Sequence, residues 1–157
     1  MSIEQVKVYL KQYNKDQDIK ELKDSSATVE LAAKALNVIP ARIAKTLSFK
    51  KDDSCILVVT AGDTKINNKK FKQTFGLKAK MLNPDEVIEL TGHAIGGVCP
   101  FGLKNQDIKV YSDSSMRRFQ TVFPACGSSN SAIELTCEEL FTISKSLAWV
   151  DVCDIRE

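Results

Sequence analysis

Hydrophobic and polar positions along the chain follow two different periods, and the points where one replaces the other mark out the elements. From Ser2 to Tyr13, Val6, Tyr9, Leu10 and Tyr13 recur at helical spacing, and Ser2 with Gln5 reads as a capping box at the start. A second helix is predicted over Thr28 to Leu36, with Leu31, Ala32, Ala35 and Leu36 on one face and Asn37 as its stop. Pro40 suits the first turn of a short helix over Ala41–Ala44. The period then shortens. Thr46–Phe49 and Cys55–Thr60 read as strands joined by the turn residues Asp52-Asp53-Ser54, hence an antiparallel pair.

Further along, Asn68–Phe75 is a short basic helix closed by Gly76, and Ala79–Leu82 is a strand. Asn83-Pro84-Asp85-Glu86 opens a helix with a cap and a first-turn proline, and Gly92 ends it. Ile108–Tyr111, Thr121–Ala125 and Ala132–Leu135 are three more strands, the last two joined by the small polar loop Cys126–Ser131. Thr136 with Glu139 caps a final helix running to about Ser146. The expectation is one mixed α/β domain over residues 1–157, with a largely antiparallel sheet of about six or seven strands and surrounding helices.

Composition narrows the class. A chain of 157 residues with 43% hydrophobic and 27% charged residues can bury a core without staples, which argues against disorder. No apolar run nears the ~18 residues a bilayer span needs, and Met1–Gln5 lacks the pattern of a signal peptide. A cytoplasmic location with no membrane partner is therefore expected. The five cysteines (55, 99, 126, 137 and 153) form no C-x-x-C pair and accompany one histidine, so neither a disulfide framework nor a zinc site is expected. The net charge of +2 is small, yet residues 65–80 hold six lysines (65, 69, 70, 72, 78 and 80) and no acid. Such a patch reads either as a solvated face or as a seat for phosphates.

Catalytic residue types are scarce. A Cys–His pair would have to use His93, and Cys99 in the neighbouring glycine loop is the best-placed thiol, although no basic neighbour in sequence marks it as a thiolate. No phosphate-binding glycine motif follows a strand. The loop Gly96-Gly97-Val98-Cys99-Pro100-Phe101-Gly102 offers something else: glycines let main-chain groups approach a ligand closely, and proline fixes the path. Lys45, at the junction between the Pro40 helix and the first strand, lies where a side chain can enter a cleft or simply meet solvent.

Taken together, Ala44-Lys45-Thr46-Leu47, Ala61-Gly62-Asp63, the Gly92–Gly102 stretch with its Gly96-x-x-x-Pro100 core, and Gly127-Ser128-Ser129-Asn130 before Ile133-Glu134-Leu135 occur in a characteristic order. On these motifs the chain resembles the YbaK/EbsC family of aminoacyl-tRNA deacylases, relatives of the editing domain of bacterial prolyl-tRNA synthetases, from about Thr28 to Ile143.

The resemblance implies hydrolysis of a wrong amino acid from tRNA, with Cys-tRNA(Pro) first and alanine, serine or threonine esters behind. It implies no metal, no cofactor and no enzyme nucleophile. Mischarged tRNA is the implied partner, with a prolyl-tRNA synthetase complex as a further one. Lys45, Gly96, Gly97 and Pro100 would carry the chemistry. Thr46, Val98, Asp63, Ser128, Ser129 and Asn130 would hold the substrate, and Lys65, Lys69, Lys70 and Lys72 the tRNA. Two departures bear on the amino acid. Ser129 or a neighbour stands where some relatives carry histidine, and Thr46 stands where alanine-specific relatives carry asparagine. The alternative function is a non-catalytic module that binds aminoacyl-tRNA or an amino acid.

Overall fold

Local capping chemistry sets most element boundaries in the computed structural model, which describes residues 2–156. Helix α1 (Ser2–Lys11) is followed by a short 3₁₀ turn and the two-residue strand β1 (Lys20–Glu21). Thr28 caps α2 (Val29–Leu36) by accepting the N–H of Leu31, and Asn37 closes it in the left-handed conformation. A 3₁₀ turn at Pro40–Arg42 leads into β2 (Ile43–Lys51), β3 (Ser54–Ala61) and β4 (Thr64–Ile66). Asn67 caps α3 (Asn68–Phe75), and the reciprocal Asn83–Glu86 box opens α4 (Pro84–Thr91). Strands β5 (Lys109–Asp113), β6 (Thr121–Pro124), β7 (Ser131–Ala132) and β8 (Leu135–Thr136) come next. The Thr136–Glu139 box then starts α5 (Cys137–Ile143), before β9 (Trp149–Val150) and β10 (Cys153–Ile155).

The main sheet has six strands in the order β8-β6-β2-β3-β5-β9. Its centre is the β2–β3 hairpin, in register from Ala44 opposite Ala61 to Lys51 opposite Ser54. The outer joints β2–β6, β3–β5 and β5–β9 are parallel, and β6–β8 is antiparallel. Two small antiparallel pairs, β1–β7 and β4–β10, stand beside it. The mixed α/β class and the strand number match expectation. Antiparallel pairing leads over the described strands as a whole, while the main sheet itself is more evenly mixed.

The apolar run Cys55–Val59 is explained by burial on both faces. Cys55, Leu57, Val59 and Ala61 join a core with Val6 and Leu10 of α1 and Leu140 of α5. Ile56 and Val58 join a second core with Phe49 and Phe71. There an aromatic chain, Phe49–Phe71–Phe75–Tyr111, with successive ring centres 4.6, 4.8 and 4.8 Å apart, fastens α3 to the sheet. Ala32 and Ala33 of α2 pack on Ile43 and Phe123 in a third, smaller cluster.

Several expectations change. The hydroxyl of Ser2, expected to cap α1 with Gln5, lies inside the helix and meets His93 instead. The predicted strand at 79–82 reduces to a bridge between Met81 and Phe49, because only the edge of β2 is available to it. The predicted strand 132–135 splits into β7 and β8, which pair with different partners. Among the described residues, all five cysteines are buried free thiols.

Candidate functional site

A cleft opens where two strands part. Parallel β2 and β6 pair only at Ile43–Phe123 and Ala44–Pro124, after which β6 ends and β2 runs on. Lys45 and Thr46, the first β2 residues past that joint, line a hollow of about 150 Å³. Ser26, Thr28 and Val29, from the segment that leads into α2, line it too, as do Gly96 and Val98 of the glycine loop and Phe123, Ala125 and Ser131. Of the predicted site residues, Lys45, Thr46, Gly96 and Val98 are thus brought together.

Lys45 is half-buried and its Nζ donates to the carbonyl oxygen of Thr64. Burial pushes its pKa below the ordinary lysine value, and the nearby Arg156 charge pushes the same way. Thr46 is 7% exposed, and its hydroxyl has no hydrogen-bond partner.

Two glycines let the loop approach other parts of the chain closely. A Cβ on Gly97 would lie 2.7 Å from the Gly127 carbonyl carbon and the Ser128 nitrogen. Gly96 adopts φ +97° with Ala27 beside it. The Gly97 N–H donates to Ala94 O at 3.0 Å, so it is spent inside the turn. Among the described residues, the N–H groups of Gly96 and Val98 have no such partner. Pro100 points elsewhere: it is buried and lines a separate hollow with Tyr9 and Leu103.

The far side of the same loop is a packed hub. His93 and Cys99 are both 0% exposed. The imidazole Nε2 donates to Phe101 O at 2.7 Å, which leaves Nδ1 to accept from the Ser2 hydroxyl. Burial pushes the His93 pKa down and the Cys99 thiol up to about 12. Cys99 Sγ lies 3.7 Å from Nε2, but that nitrogen's proton already serves Phe101. A thiol hydrolase built on this pair lacks both a thiolate and an approach.

The chain matches the aminoacyl-tRNA editing domain family over residues 23–143. It belongs to that family. The uncharacterized protein YwhH of Bacillus subtilis is 58% identical over 154 residues, covering 98% of both chains. The proline–tRNA ligase of Lactobacillus gasseri is 32% identical over 96 residues, which cover 60% of this chain and 17% of the ligase. A solved structure of a candidate trans-editing enzyme for prolyl tRNA synthetase superposes with TM-score 0.87 at 27% identity, covering 98% of this chain and 97% of that one.

In this editing domain the remaining predicted residues stand around the cleft or away from it. Asp63 accepts from the two terminal guanidinium nitrogens of Arg118, at 3.0 and 2.6 Å, and that ion pair keeps its carboxyl below the usual carboxylate range. Ser129 and Asn130 fasten a strap. The Leu22 N–H donates to Asn130 O at 2.7 Å, the Ser26 N–H to Ser129 O at 2.6 Å, and the Asn130 side-chain amide to Leu22 O at 3.1 Å. Ser128 bonds within its own loop, to Asn130 and Ser131.

Of the lysines, Lys70 is committed to Asp151 and Asp154 at 3.2 and 3.5 Å. Lys65, Lys69 and Lys72 are exposed, Lys65 on β4 and the other two on α3. Among the described residues, no helix is long and apolar enough to cross a membrane. The lining residues missed in the sequence include Ser26, which the strap brings to the cleft, and Phe123, Ala125 and Ser131.

Proposed function

We propose that this chain deacylates mischarged aminoacyl-tRNA, acting as a free-standing cytoplasmic editing hydrolase on tRNA for proline. One observation carries the reading: Lys45, Gly96 and Val98 line the same cleft. Its size, about 150 Å³, suits a small amino-acid side chain. Cysteine is the amino acid the family resemblance puts first, with alanine, serine and threonine in the same size range.

Lys45 is the one titratable side chain among the residues lining the cleft. An ammonium in that place binds the terminal phosphate or ribose and fixes the ester. The N–H groups of Gly96 and Val98 hold the carbonyl oxygen as charge builds on it. Water then adds to the carbonyl carbon, assisted by the vicinal ribose hydroxyl or by the substrate's own side chain. The bond from that carbon to the ribose oxygen breaks, and the ribose oxygen takes up the proton that water gives up. The products are the free amino acid and tRNA with its terminal hydroxyl restored. Because the ester is already activated, positioning and electrostatics supply the catalysis, and no nucleophile, metal or cofactor enters the scheme. Exposed Lys65, Lys69 and Lys72 steer the acceptor stem. A prolyl-tRNA synthetase complex is a further partner, since it produces the mischarged tRNA.

The test is a panel of preformed cysteinyl-, alanyl-, seryl-, threonyl- and prolyl-tRNA(Pro), run at one salt concentration because phosphate-driven affinity falls steeply with salt. At least one non-cognate ester is expected to be lost much faster than in buffer, with the prolyl ester spared. Rates equal to buffer for every ester overturn the proposal. Tight binding of charged tRNA without faster ester loss identifies a non-catalytic binding module.

A further inference from the structure

Among the described residues, the one hydrogen-bond partner of the half-buried Lys45 ammonium is the carbonyl oxygen of Thr64. That carbonyl belongs to the turn 61–64 between β3 and β4, and contacts from three directions hold the turn. Thr64 is 0% exposed, and its hydroxyl donates to Ala61 O at 2.7 Å, which locks the turn from within. With that proton spent, Thr60 Oγ1 donates to Thr64 Oγ1 at 2.8 Å and accepts from Ser115 Oγ at 3.1 Å and Cys153 Sγ at 3.3 Å. Ser115 Oγ also accepts the Ala61 N–H at 3.2 Å. On another side Gly62 presses on the segment entering β2, where a Cβ would lie 2.2 Å from Pro40 O and 3.2 Å from Ile43 O. On the open edge β10 sets Ile155 opposite Thr64, and the Arg156 N–H donates to Asp63 O at 2.7 Å. Bonded pairs alternate along an antiparallel ladder, so with Arg156 bonded to Asp63 the neighbouring Thr64 carbonyl is left to Lys45. Cys153 and Arg156 lie beyond residue 143, where the family match ends.

We infer that Thr64 is the positioning residue of Lys45: its locked hydroxyl fixes the turn, and its carbonyl holds the ammonium in place before substrate arrives. The inference rests on the deacylase reading above. An ammonium carries three protons, so one bond to Thr64 leaves two for the substrate. A lysine head on its long stem is otherwise free to wander, and holding it in advance removes ordering that binding would have to supply. Arg156, Cys153, Asp63 and Glu30 act on the ammonium by charge without bonding to it, and Asp63 is itself taken by Arg118. The Thr64 carbonyl therefore sets the geometry, and the buried hydroxyls behind it keep that carbonyl still.

Thr64→Val keeps the branched shape and strips the lock, whereas Thr64→Ser restores the hydroxyl. On the ester that the wild-type protein cleaves fastest, Thr64→Val is expected to lower kcat/KM about tenfold per folded molecule, with Thr64→Ser within about twofold of wild type. Ser115→Ala trims the outer end of the network and should act the same way by about two- to threefold, which keeps the test open if Thr64→Val does not fold. A double-mutant cycle separates positioning from stability. In a Lys45→Ala background, Thr64→Val and Ser115→Ala should have no further effect on the residual rate. NMR titration of the Lys45 ammonium in the free protein gives a readout without turnover. Its pKa should fall in Thr64→Val, where a hydrogen bond that favours the charged form is loosened, and recover in Thr64→Ser. Full activity in both Thr64→Val and Ser115→Ala, or equal losses with and without Lys45, overturn the inference while leaving deacylation intact. If the wild-type protein hydrolyses no ester, the deacylase reading fails and the lysine titration decides alone: a midpoint unmoved in both variants sinks the positioning role.

Discussion

The loop from Gly92 to Gly102 divides the molecule into two regions that look alike in sequence and differ in physics. On one side stand the residues that chemistry usually calls for, a histidine and a cysteine 3.7 Å apart. They are enclosed, their hydrogen bonds are complete, and burial holds both in their neutral forms. On the other side stand residues with little intrinsic reactivity: a lysine, two hydroxyls and glycine main chain around a small cleft. Here the bonding is incomplete. Thr46 and Ser26 lack partners, and Lys45 carries its charge in a place that disfavours it. Saturated polar groups specify the fold, whereas unsaturated ones are kept at a cost in stability.

The comparison breaks most sharply at Lys45. Lys45→Ala is expected to lower kcat/KM for ester hydrolysis by about 10²–10³-fold, the scale of losing one preorganised group that stabilises transition-state charge. The Tm should move by only a few degrees, because burying the ammonium already costs stability. Single-turnover deacylation beside a thermal melt measures both. Wild-type activity in this variant would remove the lysine from the site.

His93→Ala should behave in the opposite way. The variant leaves Phe101 O and the Ser2 hydroxyl without partners and opens a void against α1, which together cost about 2–4 kcal/mol of folding stability. Activity per folded molecule should persist, as measured by denaturant titration alongside turnover. The same residue sets a pH dependence. Its folded pKa lies below the ordinary imidazole value of 6.5, so the unfolded chain binds the proton more readily. Stability is then fully present above about pH 6.5 and is lost as pH falls through the lowered folded pKa. His93→Gln should flatten that part of the stability–pH curve. A wild-type curve already flat there would deny the hub its neutral imidazole.

How much of this was legible in the sequence follows from the range of each cause. The caps at Thr28, Asn83 and Thr136 act over three residues, and all three start helices where expected. The β2–β3 hairpin was legible for the same reason, since its turn and both strands are contiguous. The parallel joints were not, because β2 meets β6 and β3 meets β5 across long stretches of chain that no local pattern encodes. The site divides in the same manner. Lys45 and the glycine loop stand out as motifs. Ser26 does not, since its place depends on a strap whose anchor at Ser129 lies 104 residues from Ser25. Asp63 looked available in sequence, but Arg118, 55 residues on, takes both its oxygens.

The smallest expected effect sharpens the comparison at the basic patch, where the same test of saturation applies to charge. Lys70 is paired with Asp151 and Asp154, whereas Lys69 and Lys72 on the same helix are exposed without an ion-pair partner among the described residues. If phosphates use the unsaturated charges, Lys69→Ala with Lys72→Ala should weaken tRNA affinity a few-fold. It should also reduce the slope of log affinity against log salt by about 1–2, roughly one for each phosphate contact. Lys70→Ala should change that slope by less than either neighbour, since its loss also frees two carboxylates. Rate measurements at saturating tRNA should be the same for all three lysine variants, because α3 supplies binding that is uniform between ground and transition states. Filter binding across a salt series reads the slopes. A larger slope change for Lys70→Ala than for Lys69→Ala would mean that the ion pairs give way to the nucleic acid, and that saturation in the free protein does not mark idle charge on this face.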